Sequence, residues 1–151
     1  QNYTYSATHR ILLNLPYQRV LKEMMFETEH KSPHTFDVDA VCFQSAVIEA
    51  SHRQPILVDF WADWCAPCHG LAPHLQRVVD ELDGALKLAK VEVDEGENMK
   101  LAGHYLLRGF PTVILFHQGE ERGRFSGSRG THWLRDWLRE HLGDVLPATA
   151  H

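Results

Sequence analysis

The sequence predicts an α/β fold with a mixed central sheet flanked by helices on both faces. Between residues 36 and 142, short apolar runs typical of buried strands alternate with stretches of helical periodicity. The last two strand-like runs are joined by a turn too short for a parallel crossover, which adds an antiparallel pair. The chain has 151 residues, of which 44% are hydrophobic and 23% charged. This length and composition are typical of one globular domain.

The first half of this region is predicted to contain a helix, a strand and a longer helix. Residues 40–51 read as a helix, and residues 56–60 form a nearly continuous apolar run typical of a strand covered on both faces. The longer helix ends at Asp83-Gly84. Its apolar face is marked by Leu71, Leu75, Val78, Val79 and Leu82.

The second half is predicted to complete the sheet and to end in a helix. Residues 86–93 form a strand and residues 98–105 a short helix, and residues 112–116 and 121–126 form an antiparallel hairpin. The final helix has Thr131 as its expected N-cap. Its apolar stripe consists of Trp133, Leu134, Trp137, Leu138 and Leu142. We expect three tryptophans to anchor the core: Trp61, Trp133 and Trp137.

Residues 1–34 are predicted to be an extension outside this unit, which covers residues 35–143 and is followed by a tail over residues 144–151. From Pro16 onward the extension has the apolar spacing of one helix, set by Tyr17, Val20, Leu21 and Met24. Three roles are open for it. It can pack as an extra helix without a chemical role, bind a partner, or self-associate.

Charge and hydropathy exclude two classes of function. Fifteen Lys and Arg residues against twenty Asp and Glu give a net charge of −5, which argues against nucleic acid as a partner. The longest apolar runs are far below the ~20 residues that span a bilayer, so we expect no membrane span. We expect a cytoplasmic location because no signal peptide is recognisable. Since the chain begins at Gln1, a periplasmic location follows instead if an upstream signal has been removed.

The most informative motif is the Cys-x-x-Cys pair formed by Cys65 and Cys68, between a predicted strand and a predicted helix. Unpaired backbone N–H groups and the helix dipole favour a thiolate at a helix N-terminus, so we expect Cys65 to be an exposed nucleophile. Cys68 is placed to attack a mixed disulfide formed by Cys65 and so to close an intramolecular disulfide. Pro67 fixes the backbone where the helix begins.

Asp59 is the second candidate for a chemical role, because it interrupts the apolar strand six residues before Cys65. Burial raises the pKa of such an acid, and it could then take the proton from Cys68 as that thiol attacks. Alternatively, Asp59 is simply neutralised by a lysine, and Lys90 on the next predicted strand is the candidate. The third cysteine, Cys42, is expected to be a buried and inert thiol in the first helix.

Several separated motifs resemble the thioredoxin family over residues 36–142. They comprise the segment around the two cysteines and five further positions or short runs: residues 58–68, Ala72-Pro73, Lys90, residues 108–112, Gly119 and Gly127. Two positions depart from the commonest family pattern. Ala66 stands where the family usually has Gly, and His69 stands where it usually has Lys or Arg.

The resemblance implies a thioredoxin fold and a thiol–disulfide oxidoreductase that reduces protein disulfides, with an electron-donating reductase as a second partner. It implies that Cys65 is the attacking thiol, Cys68 the resolving thiol, Asp59 the buried acid and Lys90 its partner. It further implies a cis peptide bond before Pro111, although base rates alone favour trans. A substrate-binding surface is implied at Trp64, Ala66, Pro67, Gly109, Phe110, Pro111 and Gly127.

Other functions fit parts of the same pattern. Residues 65–69 also match the Cys-x-x-Cys-His signature of c-type haem attachment. Cys65, Cys68 and His69 could contribute to a zinc site, although a second ligand pair of the usual spacing is missing. We expect neither a cofactor nor a metal. A chaperone or adaptor that holds clients, and an oxidant or isomerase of an oxidising compartment, are the functional alternatives.

Overall fold

The computed structural model describes residues 20–21 and 32–148. The chain divides into two units, Gln1–Lys31 and Ser32–His151. In the first unit the described residues are Val20 and Leu21, and both are helical. The rest of the helix predicted from Pro16 onward, and the last three residues of the predicted tail, lie outside the described residues.

The second unit is built around a mixed sheet of five strands within residues 32–148. The strands are β1 (Thr35–Asp37), β2 (Ile56–Trp61), β3 (Lys87–Glu92), β4 (Thr112–His117) and β5 (Glu120–Ser126). Their order across the sheet is β1-β3-β2-β4-β5. Strand β3 pairs in parallel with β1 and β2, whereas β4 runs antiparallel to both β2 and β5. The antiparallel part therefore reaches the centre of the sheet and is not limited to the closing hairpin.

Helices cover both faces of this sheet. In the described part of the second unit they are α1 (Ala66–Glu81), α2 (Met99–His104), α3 (Thr131–Leu142) and an irregular segment made of a π-helix, Gln44–Glu49, and a 3-10 turn, Ala50–His52. None of the helices in the described residues has the length and hydropathy to cross a membrane.

Alternation along the strands divides the core into two layers. Val58 and Phe60 of β2 belong to the first layer, with the irregular helical segment and α2. Leu57 belongs to the second layer, with α1 and α3. Asp59 alternates onto the same face as Leu57 and is the Cα partner of Lys90 in the β2–β3 ladder. The Asp59 carboxyl group therefore lies on a buried strand between two apolar residues, Val58 and Phe60.

Most element bounds agree with the sequence predictions. β2, β3, α2, β4 and β5 each begin and end within one residue of the predicted limits. The predicted first helix is correct in place but irregular in form. It becomes helical only after a turn, so Cys42 lies in that turn and is exposed, and the expectation of a buried thiol is wrong.

Two expectations about α3 are also wrong. Its N-cap is Gly130, so Thr131 is the first helical residue, and the Thr131 hydroxyl is engaged instead with His74 Nδ1 at 2.8 Å. Trp137 is buried as predicted, but Trp133 is 38% exposed. Trp133 stacks on Trp137 with ring centroids 6.2 Å apart, so it covers the edge of the core rather than filling it.

Candidate active site

The two cysteines lie where β2 leads into α1. After Trp61 a short turn closes with a hydrogen bond from Cys65 N–H to the Ala62 carbonyl at 3.1 Å. Cys65 is the N-cap of α1 in an extended conformation, and its Sγ accepts the backbone N–H of Cys68 at 3.3 Å. Pro67 follows in the first turn of the helix, where its missing N–H removes no hydrogen bond. The predicted placement of the motif at a helix N-terminus is therefore confirmed.

Cys65 and Cys68 are joined by a disulfide bond, with their Cα atoms 5.3 Å apart. Both are buried, Cys65 being 4% exposed and Cys68 2%. The expectation of an exposed Cys65 is wrong for this oxidised form, because both cysteines pack into the first core layer. The side chains next to them in the chain, Trp64, Ala66 and Pro67, are exposed.

Asp59 is the buried acid that the sequence predicts, with 1% exposure. Burial raises its pKa from 3.8 to about 7, and the positive charge of Lys90 works in the opposite direction. Its Oδ1 has no hydrogen-bond partner among the described residues. The Nζ of Lys90 lies over the Trp61 ring, 4.8 Å from the centroid. Lys90 thus lowers the pKa of Asp59 through its positive charge, without donating a hydrogen bond to Oδ1.

The segment before β4 contributes the opposite side of the site. The Phe110–Pro111 peptide bond is cis, as the resemblance implies. The Phe110 ring meets the Trp64 ring edge-on with centroids 6.2 Å apart. The Pro111 carbonyl accepts the N–H of Gly127 at 2.9 Å, and Gly127 has φ +86°, a conformation that favours glycine. The structure therefore brings together five of the predicted substrate-binding residues: Trp64, Gly109, Phe110, Pro111 and Gly127.

Asp94 is a site residue that is absent from the sequence predictions. Its Oδ2 accepts the indole N–H of Trp64 at 2.6 Å. Strands β2 and β3 are parallel neighbours, so their carboxyl ends lie at the same edge of the sheet. Asp94 follows β3 just as the cysteine loop follows β2. In the sequence, Asp94 is recognisable only as a polar residue directly after a predicted strand. Its position beside Trp64 depends on the pairing of β2 with β3.

His69 ties the first turn of α1 to the loop before Cys65. Its Nε2 lies 2.6 Å from the carbonyl oxygen of Asp63. A carbonyl oxygen only accepts hydrogen bonds, so Nε2 must carry the proton in this contact. The imidazole also meets the Trp61 ring edge-on at 6.1 Å. His69 is thus held in place on both sides.

Negative charge accumulates at the edge of the sheet beside Trp64. The pKa of Glu92 is raised, first by burial, then by a hydrogen bond with Glu95, and further by the negative charges of Glu95, Asp63 and Asp94. Among the described residues no group of three or more His, Cys, Asp or Glu side chains is arranged to hold a metal ion.

Comparison with known proteins agrees with this geometry. The family model described as Thioredoxin matches residues 34–140, which is most of the chain. The chain belongs to the thioredoxin family. The matched range contains Cys65, Cys68, Asp59 and Pro111. The proposed thioredoxin fold is thereby confirmed.

Individual thioredoxins are similar over nearly their whole length. A thioredoxin of Acidithiobacillus ferridurans is 42% identical over 100 residues, covering 66% of this chain and 89% of that protein. A thioredoxin of Rickettsia felis is 36% identical over 100 residues, covering 66% of this chain and 91% of that protein. A thioredoxin of Rickettsia typhi is 34% identical over 106 residues, covering 70% and 97%.

Family membership and the Cys65–Cys68 disulfide together establish the class of activity. The chain is a thiol–disulfide oxidoreductase with the protein-disulfide reductase activity of a thioredoxin. Its partners belong to two classes, proteins that carry disulfides and a reductase that supplies electrons. The family match begins at residue 34, so the segment before it is additional to the thioredoxin domain.

Proposed function

We propose that the chain reduces protein disulfides by a cycle in which Cys65 attacks, Cys68 resolves and Asp59 accepts a proton. The observation that carries the proposal is the disulfide at the N-terminus of α1, preceded on β2 by a buried carboxyl whose Oδ1 is unpaired. We further propose that this cycle runs in the cytoplasm, where thiols are kept reduced.

In the first step, the thiolate of reduced Cys65 attacks one sulfur of the substrate disulfide. The substrate S–S bond breaks, a mixed disulfide forms at Cys65, and the second substrate sulfur leaves as a thiolate that takes a proton from solvent. Two features support this role for Cys65. The N-terminus of α1 stabilises negative charge, and the backbone N–H of Cys68 donates to the Cys65 sulfur at 3.3 Å.

In the second step, the Cys68 thiol gives its proton to Asp59 as its sulfur attacks Cys65. The bond between Cys65 and the substrate breaks, and the remaining substrate sulfur leaves as a thiolate. The substrate has then gained two electrons, and Cys65 and Cys68 are joined. A pKa of about 7 suits Asp59 to accept a proton near neutral pH. Asp59 then releases its proton through solvent to the departing substrate thiolate. The reductase returns two electrons with one proton, which restores the Cys65 thiolate and the Cys68 thiol.

Substrate binding is assigned to the face around the disulfide. Trp64 is 68% exposed and borders this face on one side. Phe110 and the cis peptide bond before Pro111 border it on the other. An extended substrate segment can pair there with the backbone before Pro111, the usual way in which a peptide adds to an exposed strand end. Ala66 and Pro67 complete the face.

The roles of the two cysteines are tested by trapping with insulin as the disulfide substrate. All variants carry Cys42→Ser, because Cys42 is an exposed free thiol that would form disulfides of its own. We expect Cys68→Ser to accumulate a covalent mixed disulfide, since the second step is blocked. Cys65→Ser is expected to lose turnover and to trap nothing. Equal trapping by the two variants would contradict the assignment.

A further inference from the structure

The side chain of His69 is held in one position although 55% of it is exposed. Its Nε2 donates to the Asp63 carbonyl oxygen at 2.6 Å, and its ring meets the Trp61 ring edge-on with centroids 6.1 Å apart. Fixing an exposed side chain in this way costs rotamer entropy. Because the family usually has Lys or Arg at this position, family membership does not account for an imidazole here.

His69 donates hydrogen bonds on both sides of Trp64. Its side chain reaches the Asp63 carbonyl, and its backbone N–H reaches the Cys65 carbonyl at 3.3 Å. Between these points lies the turn that is closed by the hydrogen bond from Cys65 N–H to the Ala62 carbonyl. His69 therefore connects α1 to the turn that carries the attacking sulfur by a route that does not pass through the disulfide.

The resolving step of the proposed cycle depends on the position of this turn. In the oxidised chain the disulfide itself holds Cys65 against α1, with the Cα atoms of Cys65 and Cys68 5.3 Å apart. In the mixed disulfide Cys65 is bonded to the substrate instead. The Cys68 sulfur must then bond to the Cys65 sulfur while the bond to the substrate breaks, Asp59 takes the Cys68 proton and the substrate sulfur leaves as a thiolate. Such a ring closure requires the two reacting sulfurs to be held in the right geometry.

We propose that His69 is a positioning residue for the resolving step, because its hydrogen bond to the Asp63 carbonyl holds Cys65 within reach of Cys68 while the substrate is attached. The proposal rests on the proposed function and deepens it. The first step is less sensitive, since attack requires only that a disulfide from solution reach the Cys65 sulfur.

The hydrogen bond, rather than the charge of His69, is the feature that matters in this proposal. Nε2 carries a proton both in the neutral form that makes this contact and in the imidazolium, so the bond is the same in both forms. The charged groups around the ring are the Asp63 carboxylate, 4.0 Å from Nε2, and Lys90, which lies over the face of Trp61. A variant that keeps the donor and lacks the charge should therefore retain the function of His69.

Three variants of the full chain separate these features, each with Cys42→Ser to remove the exposed free thiol. His69→Leu removes the donor. His69→Gln keeps an N–H donor and cannot become charged. His132→Leu removes another histidine, whose side chain on α3 is 89% exposed, and is the matched control. Thermal unfolding of the oxidised form checks that each variant is folded.

The measurement is a single turnover with insulin. Each reduced variant is mixed rapidly with insulin, quenched with acid and alkylated, and mass spectrometry follows the mixed disulfide at Cys65 and the Cys65–Cys68 disulfide over time. The rise of the mixed disulfide gives the attack rate, and its decay gives the closure rate. The series is repeated from about pH 5.5 to about pH 8, the range in which histidines ordinarily change charge.

We expect His69→Leu to slow closure about fivefold, the usual effect of one lost hydrogen bond, while its attack rate stays within about twofold of the wild type. His69→Gln and His132→Leu should close within about twofold of the wild-type rate at every pH.

The proposal is overturned if His69→Leu closes at the wild-type rate, if it slows attack as much as closure, or if His69→Gln is as slow as His69→Leu. It is also overturned if the ratio of the wild-type to the His69→Gln closure rate falls as pH rises, because the charge of His69 would then be the active feature. Failure of the proposed function gives a different result. The wild type would then form no mixed disulfide at Cys65, or would never convert it into the Cys65–Cys68 disulfide.

Discussion

The burial of Asp59 makes the stability of the folded chain depend on pH. Its pKa is about 7 in the folded chain and 3.8 in an unfolded reference. Below the lower of these two pKa values, Asp59 is protonated in both the folded and the unfolded chain, so its raised pKa does not reduce the free energy of unfolding. Between the two values the folded state keeps a proton that the unfolded state releases, so stability falls as pH rises. Above about pH 7 the raised pKa of Asp59 lowers the free energy of unfolding by its full amount, on the order of 4 kcal/mol.

Asp59→Asn is therefore expected to stabilise the oxidised protein in a pH-dependent manner. An amide cannot ionise, so the gain in free energy of unfolding should grow from about pH 4 to about pH 7 and then level off. Urea denaturation at a series of pH values measures this gain. A difference between variant and wild type that does not depend on pH would show that Asp59 is not titrating as described.

The same substitution should slow the resolving step at neutral pH while leaving the fold intact. Without Asp59 the Cys68 thiol lacks its proton acceptor, so decay of the mixed disulfide should be slower. Rapid-mixing measurements of that decay from about pH 6 to about pH 9 test the effect. Lys90→Met is the informative companion. Loss of its positive charge should raise the pKa of Asp59 and move the pH profile upward.

Residues whose environment is determined by their own neighbours in the chain are the ones that sequence predicts well. Asp59 is flanked by apolar strand residues, and Cys65 lies between a strand and a helix, so burial and N-terminal placement follow from local pattern. The exposure of Cys42 does not follow, because it depends on where an irregular helical segment begins. The bond from Trp64 to Asp94 depends on strand pairing, which no local pattern contains.

At the scale of elements, the close contact between β5 and α3 is the most easily tested. A Cβ added at Gly123 would lie 2.6 Å from the His141 ring and 3.2 Å from the Trp137 ring. The two ring centroids lie 4.3 Å apart with the ring planes tilted by 33°, and His141 Nδ1 lies 2.8 Å from the Trp137 carbonyl oxygen. A side chain at residue 123 therefore fits only if the His141 ring moves.

Gly123→Ala is expected to destabilise the chain by about 1–3 kcal/mol, the usual effect of overpacking. Thermal or urea unfolding measures the loss. Gly103→Ala is the matched control, because a Cβ there meets nothing within 4 Å and alanine suits a helix better, so it should be neutral or stabilising. If Gly123→Ala costs as much in a His141→Ala background as alone, the clash with His141 is not the cause.

Strands with strong apolar patterns were predicted to within one residue, whereas two elements were not. β1 has only three residues, too few for alternation to be recognised. The helix predicted over residues 40–51 forms as a π-helix and a 3-10 turn, because side-chain periodicity does not distinguish these geometries from an α-helix over so few residues.

At the scale of the whole molecule, strand order decides where the chemistry lies. The parallel pairing of β2 with β3 places Asp59 beside Lys90 and the loop of Cys65 beside Asp94. The antiparallel entry of β4 places Phe110 against Trp64. Alternation of helices and strands predicts the α/β class but not the direction of β4. The sequence predicts an antiparallel arrangement for the closing hairpin alone, and the antiparallel pairing of β4 with β2 emerges from the structure.

The direction of electron flow is a property of the whole domain, and we expect the chain to act as a reductant. At equilibrium the reduced chain should reduce glutathione disulfide, with a potential more negative than that of the glutathione couple. Equilibration with glutathione buffers followed by thiol alkylation measures this. A potential well above the glutathione couple would instead favour the oxidant or isomerase alternative, and with it an oxidising compartment.

The most direct measurement is a single turnover of the fully reduced chain with insulin, followed by rapid alkylation and mapping of the disulfides by mass spectrometry. The account predicts that two substrate thiols appear for each Cys65–Cys68 disulfide formed, while Cys42 is recovered alkylated. Substrate thiols that appear while Cys65 and Cys68 both remain free to alkylate would contradict it.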